Sequence, residues 1–318
     1  MLRPSKHGRA TAFQLAGSAL ALRGPQGERA RRSRQAPANL FRSDDRPFPG
    51  FGGLTTNQQE GRGTLVSMLT RRPLTLLHTA DVHLGLDFDP LRAERAFEAV
   101  ISLAIENAVD AVIIAGDLFD HNRVTAREVD FAAAQINRLR VPCVVMPGNH
   151  DQYDAGSVHR RIYLADLCGP VHMLTEPEGS ALELSDLGVT FWGRPVVDHC
   201  PEFHPLEGAP TRESGGWHVA LAHGFHVPRG EDSYRSSPVR AEEIEALGWD
   251  YLAMGHVHRY WDVSAGDTVA VYPGSSFTYE ADAAAAGSAA LVTLDPTAGV
   301  SVQRLRVARH SATVGGGQ

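Results

Sequence analysis

Three short apolar runs, LTLLHTA (74–80), DAVIIAG (110–116) and VPCVVMPG (141–148), are separated by two stretches with helical spacing. No other feature limits the possible folds as sharply. Apolar runs of this length suit strands buried on both faces. Strands that alternate with helices pair in one sheet and carry the helices on its faces. The first helical stretch, DPLRAERAFEAVISLAIENAV (89–109), places Pro90 near its first turn, where a missing N–H is harmless. Thr125 and Glu128 form a capping box for a second helix running to about Leu139. Later stretches read as strands: VTFWG (189–193), WHVALAHG (217–224), DYLAMGH (250–256), VAVYPGS (269–275) and AALVTLD (289–295). No internal repeat is visible. The fold class is α/β.

With 318 residues, 43% of them hydrophobic, the chain can fill one large domain or two small ones. Three cysteines, Cys143, Cys168 and Cys200, make no paired framework and no C-x-x-C. That pattern suits a reducing compartment, so the expected location is cytoplasmic. No run approaches the ~18 apolar residues that cross a membrane. Charge is uneven. Residues 1–67 hold 11 Lys+Arg against 4 Asp+Glu, and the remainder 19 against 33, which together give the formal −7. The first segment lacks hydrophobic periodicity, so residues 1–70 are expected to be a disordered basic tail. Within it, ATAFQLAGSALAL (10–22) has the outline of a signal peptide, but Gln14, Gly17 and Ser18 interrupt its apolar core. If translation starts at Met68, the tail lies upstream of the true start. The globular domain is expected over 71–310, with a disordered end at 311–318.

Each main strand ends in a polar cluster. The first carries Asp81 and His83. The second carries Asp117 and Asp120 in GDLFD, and the third carries Asn149, His150 and Asp151 in GNHD. The run at 217–222 leads to His223, and that at 251–254 leads to His256 and His258 in GHVH. Loops beyond the carboxyl ends of strands in open α/β sheets converge on one crevice. The set holds carboxylates, imidazoles and one amide oxygen, with no thiolate. That mixture suits Mn²⁺, Fe or Zn²⁺ at an open site better than a closed structural zinc site. It holds too many donors for one ion, and Asp117 is the natural bridge between two. The glycines before Asp117, Asn149 and His256 let the backbone turn so that side chains can aim at the ions.

The ordered set D-x-H, GD-x-x-D, GNHD, H and GH-x-H resembles the calcineurin-like metallophosphoesterase superfamily. HTADVHLG and GDLFD look most like its DNA-repair exonuclease branch. The resemblance covers about residues 73–295 and makes 71–310 a metallophosphoesterase domain. It implies two packed mixed β-sheets flanked by helices, a four-layer sandwich with metals at one edge. It implies that Asp81, His83 and His258 hold one divalent ion, that Asn149, His223 and His256 hold the other, and that Asp117 bridges them. Mn²⁺ is the expected metal. His150 is the implied catalytic imidazole, with Asp151 orienting it. The implied reaction is attack of an activated water on phosphorus, with His150 stabilising charge or protonating the leaving oxygen.

Other residues read less sharply. Asp120 either orients a neighbour or is structural. In some members of the nuclease branch a histidine stands at its place, and His121 lies beside it. AHGFH offers both His223 and His226; the family pattern favours His223 as the ligand and leaves His226 as a candidate substrate contact. His78 reads as a packed core histidine. His159, His172, His199, His204 and His218 have no ligand spacing and are treated as ordinary. Arg123, Tyr153 and Arg259 follow the metal motifs, where a phosphate contact competes with a solvated loop position.

Two active functions compete. One is a metal-dependent nuclease or exonuclease with a nucleic-acid substrate, favoured by the motif wording. The other is a phosphodiesterase or phosphatase for a small molecule, such as a cyclic nucleotide or a lipid headgroup. A net of −14 beyond residue 67 favours the latter, since a duplex-binding protein usually shows a basic stripe. A non-catalytic scaffold would not need the complete set. About two dozen residues follow LVTLD, so the capping and ATPase-docking regions of the nuclease branch are not expected here. Neither is a membrane partner.

Overall fold

The computed structural model describes residues 70–162, 164–213, 215–277 and 287–307. The tail expected over most of 1–70 and the end expected at 311–318 lie outside them. The chain opens with β1 (Leu74–Thr79), α1 (Pro90–Glu106), β2 (Ala111–Ala115), α2 (Ala126–Ile136) and β3 (Cys143–Met146). Two short helices, α3 (Val158–Arg161) and α4 (Leu164–Leu167), lead to β4 (Val171–Met173). Next come β5 (Ser180–Leu184), β6 (Val189–Gly193), β7 (Trp217–His223), β8 (Phe225–Val227) and β9 (Pro238–Arg240). The remainder is α5 (Ala241–Leu247), β10 (Tyr251–Gly255), β11 (Tyr260–Asp262), β12 (Val269–Pro273), β13 (Gly287–Asp295) and β14 (Gly299–Val307).

The long strands form two six-stranded sheets, ordered β14-β13-β1-β2-β3-β4 and β11-β12-β10-β7-β6-β5. Both are mixed. β1 to β4 pair in parallel and β13 joins β1 antiparallel. In the second sheet β6, β7, β10 and β12 are parallel, with β5 and β11 antiparallel at its edges.

Alternation along each strand builds the layers. Leu77, Val112, Ile114 and Val145 pack on Phe97, Val100 and Ile101 of α1 and Val129 of α2. Their neighbours Leu76, Ile113 and Val144 face the other way and meet Phe191, Val219, Leu221 and Ala253 of the second sheet. On the far side of that sheet, Ala220, Leu252 and Met254 pack with Ile244 of α5 and with Trp249. Each fully buried aliphatic or aromatic side chain of this kind contributes ~1.5–3 kcal/mol. The result is the expected four-layer sandwich of helices, sheet, sheet and helix.

Local signals also behave as the sequence predicts. Asp89 accepts the Arg92 N–H at 3.2 Å, with Pro90 following it in the first turn of α1. Glu128 reaches back to the Thr125 N–H at 2.8 Å. The capped α2 ends at Ile136, a little short of Leu139. β14 and α5 carry weak sequence signals. β14 is a half-exposed edge strand and α5 has only seven residues.

Parallel pairing puts the carboxyl ends of β1, β2 and β3 on one edge of the first sheet, and those of β7, β10 and β12 on one edge of the second. These two edges meet. Ala80 bridges to Ser275, just past β12, and Ser275 Oγ donates to the Asp81 carbonyl at 2.7 Å. The glycines at the meeting point serve different needs. Gly116 does adopt a left-handed φ of 91°. Gly255 is needed for space instead, since a Cβ there would stand 1.9 Å from the Ala115 carbonyl and 2.5 Å from His223 Nδ1. Gly255→Ala should therefore force the sheets apart at this edge, at a cost of about 1–3 kcal/mol. We expect a melting temperature lower by roughly 2–10 °C together with weaker metal binding, read by thermal denaturation and metal titration. An unchanged melting curve and unchanged binding would refute this account.

Candidate metal centre

The edge brings together side chains from five separated stretches. Asp81 and His83 follow β1 and are fully buried. Both have φ near +54°, a left-handed backbone that non-glycine residues rarely adopt. Asp117 after β2 (φ 54°) and His256 after β10 (φ 96°) share the feature. Such strain costs on the order of 1–3 kcal/mol per residue and persists only where surroundings hold it. Here Val82 and His83 both donate N–H bonds to the Asp117 carbonyl, at 2.8 and 3.0 Å, locking the two turns together.

Two donor groups result. In the first, His258 Nε2 lies 3.2 Å from His83 Nε2 and 3.5 Å from Asp81 Oδ1. In the second, Asn149 Oδ1 is faced by His223 Nε2 at 3.0 Å and by His256 Nδ1 at 2.8 Å. Asp117 reaches both. Its Oδ2 is 3.2 Å from His223 Nε2 and 3.9 Å from His83 Nε2. Its Oδ1 accepts the His150 N–H at 2.9 Å. The trios Asp81–His83–His258, Asp81–Asp117–His223 and His83–Asp117–His150 each offer ligand atoms close enough to share one cation.

These donors fit divalent ions. Two imidazole nitrogens confront each other at 3.2 Å in the first group, where at most one proton can sit between them. Oxygen and imidazole donors without thiolate suit Mn²⁺, Fe or Zn²⁺. Neighbouring bonds also set the tautomers. His223 Nδ1 donates to the Ala115 carbonyl at 2.9 Å, which leaves Nε2 as the nitrogen that could face an ion.

The expectation that Asp151 orients His150 is corrected. Asp151 is fully buried and turned away from the imidazole beside it. Its carboxylate accepts from Gly148 N–H at 2.7 Å and Phe119 N–H at 3.2 Å, and it lies 3.0 Å from His159 Nε2. It braces the two loops that carry Asp117 and Asn149. His150 is oriented by Asp120, whose carbonyl lies 2.8 Å from Nδ1. The same residue's Oδ1 stands 3.0 Å from His83 Nδ1, a charge contact without hydrogen-bond alignment, so Asp120 touches two imidazoles. Adjacency in the chain hides this, because successive residues leave a turn in different directions.

His78 is a core residue 2.8 Å from the Tyr251 hydroxyl, and burial pushes it down to about 3. His226 is buried with its ring edge-on to Trp261, and it packs there. Tyr153 carries the Arg160 guanidinium over its ring at 4.1 Å, and Arg259 lies 5.1 Å from the Trp261 ring centre. Arg123 and His121 line a cavity of about 390 Å³ with Leu86 and Asp87. His159 and His199, ordinary by sequence, both join the site's surroundings, His159 against Asp151 and His199 beside His256. No ligand spacing marks either one.

Burial and charge divide the imidazoles. Burial opposes charging of His223, yet the carboxylates of Asp117 and Asp81 raise it to about 9. Burial, reinforced by the charge of His223, lowers His256 to about 4. For Asp117 burial opposes ionisation, but the imidazolium charge of His223 outweighs it and keeps the carboxylate ionised. In the metal-free chain His223 is therefore protonated below about pH 9, and an ion bound through His223 would have to displace that proton. Apparent affinity should climb roughly tenfold per pH unit from pH 6 to pH 8, with proton release visible by calorimetry in buffers of different ionisation enthalpy. Equal affinity at both pH values would contradict the His223 assignment.

Residues 74–260 match the calcineurin-like phosphoesterase family. The chain is 27% identical over 225 residues to the uncharacterized metallophosphoesterase YhaO of Bacillus subtilis (strain 168), covering 64% of this chain and 53% of that protein. It is 29% identical over 222 residues to the DNA double-strand break repair protein Mre11 of Aeropyrum pernix, covering 63% and 52%. The chain thus spans about half the length of the curated relatives it matches. The crystal structure of TT1561 of Thermus thermophilus superposes with a TM-score of 0.49 at 16% identity, over 74% of this chain and 100% of that one. The family match runs from β1 through the GHVH cluster, and the chain belongs to the calcineurin-like phosphoesterases.

Proposed function

We propose that this protein is a two-metal phosphodiesterase that cleaves nucleic-acid strands in a DNA-repair-type nuclease or exonuclease reaction, with Mn²⁺ as its preferred ion. One observation carries the reading. Seven donors from both sheets meet at one edge, and the half-exposed His150 stands beside them. Its Nδ1 is held by the Asp120 carbonyl, so Nε2 is the nitrogen left for substrate. Divalent ions held there supply the Lewis acidity and the lowered water pKa that hydrolysis at phosphorus requires. As an imidazolium, His150 would have an Nε2 proton to give to the leaving oxygen, or a charge to set against the one that develops on phosphate. Asp120 keeps His150 in register and touches His83. Asp117 contributes a charge that both donor groups share.

The names of the Mre11 relatives support a nucleic-acid substrate. The three free cysteines, two of them buried, suit a cytoplasmic setting. No helix among the described residues is long and apolar enough to cross a membrane. The acidic body argues for a flexible single strand over an intact duplex, since few phosphates can be neutralised along it.

Asp117→Asn should abolish turnover and lower metal content, because the shared charge is lost; full occupancy with normal turnover would sink the bridging role. His150→Ala should keep its metals and lose rate by roughly 10²–10⁴-fold. Loss of metal in that variant, measured by elemental analysis, would make His150 a ligand. The substrate is tested by comparing specificity constants for bis-p-nitrophenyl phosphate, its monoester, cyclic AMP, and single- and double-stranded DNA. Single strands should outrun duplex. If small diesters win by orders of magnitude and DNA is untouched, the small-molecule phosphodiesterase replaces the nuclease.

A further inference from the structure

The connection between β6 and β7 is unusually long, and it carries His199 to the metal edge. The ring of His199 lies 5.3 Å, centre to centre, from that of His256, a member of the second donor group. The chain around it is tied down on both sides. Val196 N–H donates to the Pro147 carbonyl at 3.3 Å, and Tyr153 N–H donates to the Val196 carbonyl at 2.8 Å. Those bonds fasten the segment to the loop that bears Asn149 and His150. On the other side, Ser237 N–H donates to the Cys200 carbonyl at 2.9 Å.

Ser237 itself is fully buried and sits at a left-handed φ of 51°, an unusual place for a serine. Its carbonyl accepts the Phe225 N–H at 3.0 Å, and a Cβ at Gly224 would meet that carbonyl at 2.0 Å. Its backbone therefore cannot shift without disturbing the strand after His223. Its hydroxyl lies 3.1 Å from His199 Nδ1. Among the described residues, His199 Nε2 has no hydrogen-bond partner. A half-exposed imidazole with one nitrogen anchored by a strained, buried serine, and the other left open beside a metal ligand, is more than a packed core histidine requires.

We propose that His199 is a further substrate-contacting residue, which presents Nε2–H to a phosphate oxygen held at the Asn149–His223–His256 side, with Ser237 positioning it. When the Ser237 hydroxyl donates to Nδ1, the ring proton resides on Nε2, and a neutral imidazole becomes a hydrogen-bond donor to an anionic oxygen. The inference rests on the two-metal phosphodiesterase reading and adds a contact from outside the metal motifs.

The experiment uses the full chain reconstituted with Mn²⁺ and bis-p-nitrophenyl phosphate as the probe. His199→Ala should keep two metals and the wild-type melting temperature while kcat/KM falls about 10- to 100-fold, the range for a hydrogen bond to a charged group. His199→Gln, which retains an N–H donor, should recover part of that loss. Ser237→Ala should weaken kcat/KM less. In the double variant it should add nothing to His199→Ala, because both remove one interaction. Loss of metal from His199→Ala would overturn the proposal and leave His199 as a prop for His256. Wild-type kcat/KM in His199→Ala, or additive effects in the double variant, would overturn it as well. If the wild-type protein hydrolyses no diester at all, the parent phosphodiesterase reading fails instead.

Discussion

The centre is organised around one buried carboxylate. Asp117 sits at the end of β2 with its backbone in the left-handed region, and it is 1% exposed. Its carbonyl holds the turn after β1, one carboxylate oxygen holds the His150 backbone, and the other faces His223 of the second sheet. An unpartnered charge at that depth would be costly, and breaking its partnerships would be costlier still. The two sheets are therefore coupled at this edge by electrostatics as well as by packing. Gly148 and Gly255 make room for that coupling, the first by leaving space for Asp117 and the second by letting β10 approach β2.

Around Asp117 the candidate ligand atoms are aimed by residues outside that set. The Ala115 carbonyl sets the tautomer of His223, and Asp120 sets His150 and touches His83. Asp151 ties the third loop to the second through backbone N–H groups. Outer bonds of this kind fix ring orientation and ligand basicity. They also explain how four left-handed residues can persist in one small volume, since each strained turn is held by bonds to another.

The histidines show how strongly position overrides residue type. His78, between the sheets, is driven toward the neutral form by burial. His223, equally buried, is driven toward the charged form because two carboxylates stand beside it. His256 is held neutral by burial and by the charge of His223. Adjacent groups pushed in opposite directions are a common property of sites that bind metals and move protons.

Much of this protein is legible in its sequence. Val-, Ile- and Leu-rich runs alternating with capped helices dictate parallel strands, and a polar cluster after each strand dictates where the chemistry gathers. Asp81, His83, Asp117, Asn149, His150, His223, His256 and His258 are all readable from that pattern, because a strand end is a local feature. Pairings between loops are not local. That Asp120 rather than Asp151 orients His150, that His159 braces Asp151, and that Ser237 holds His199 all depend on turn geometry and on loops far apart in the chain. Periodicity cannot encode these contacts. Only the meeting of the two sheet edges decides them, because side-chain direction after a strand is set by the φ of one or two residues and by whatever the opposite sheet presents.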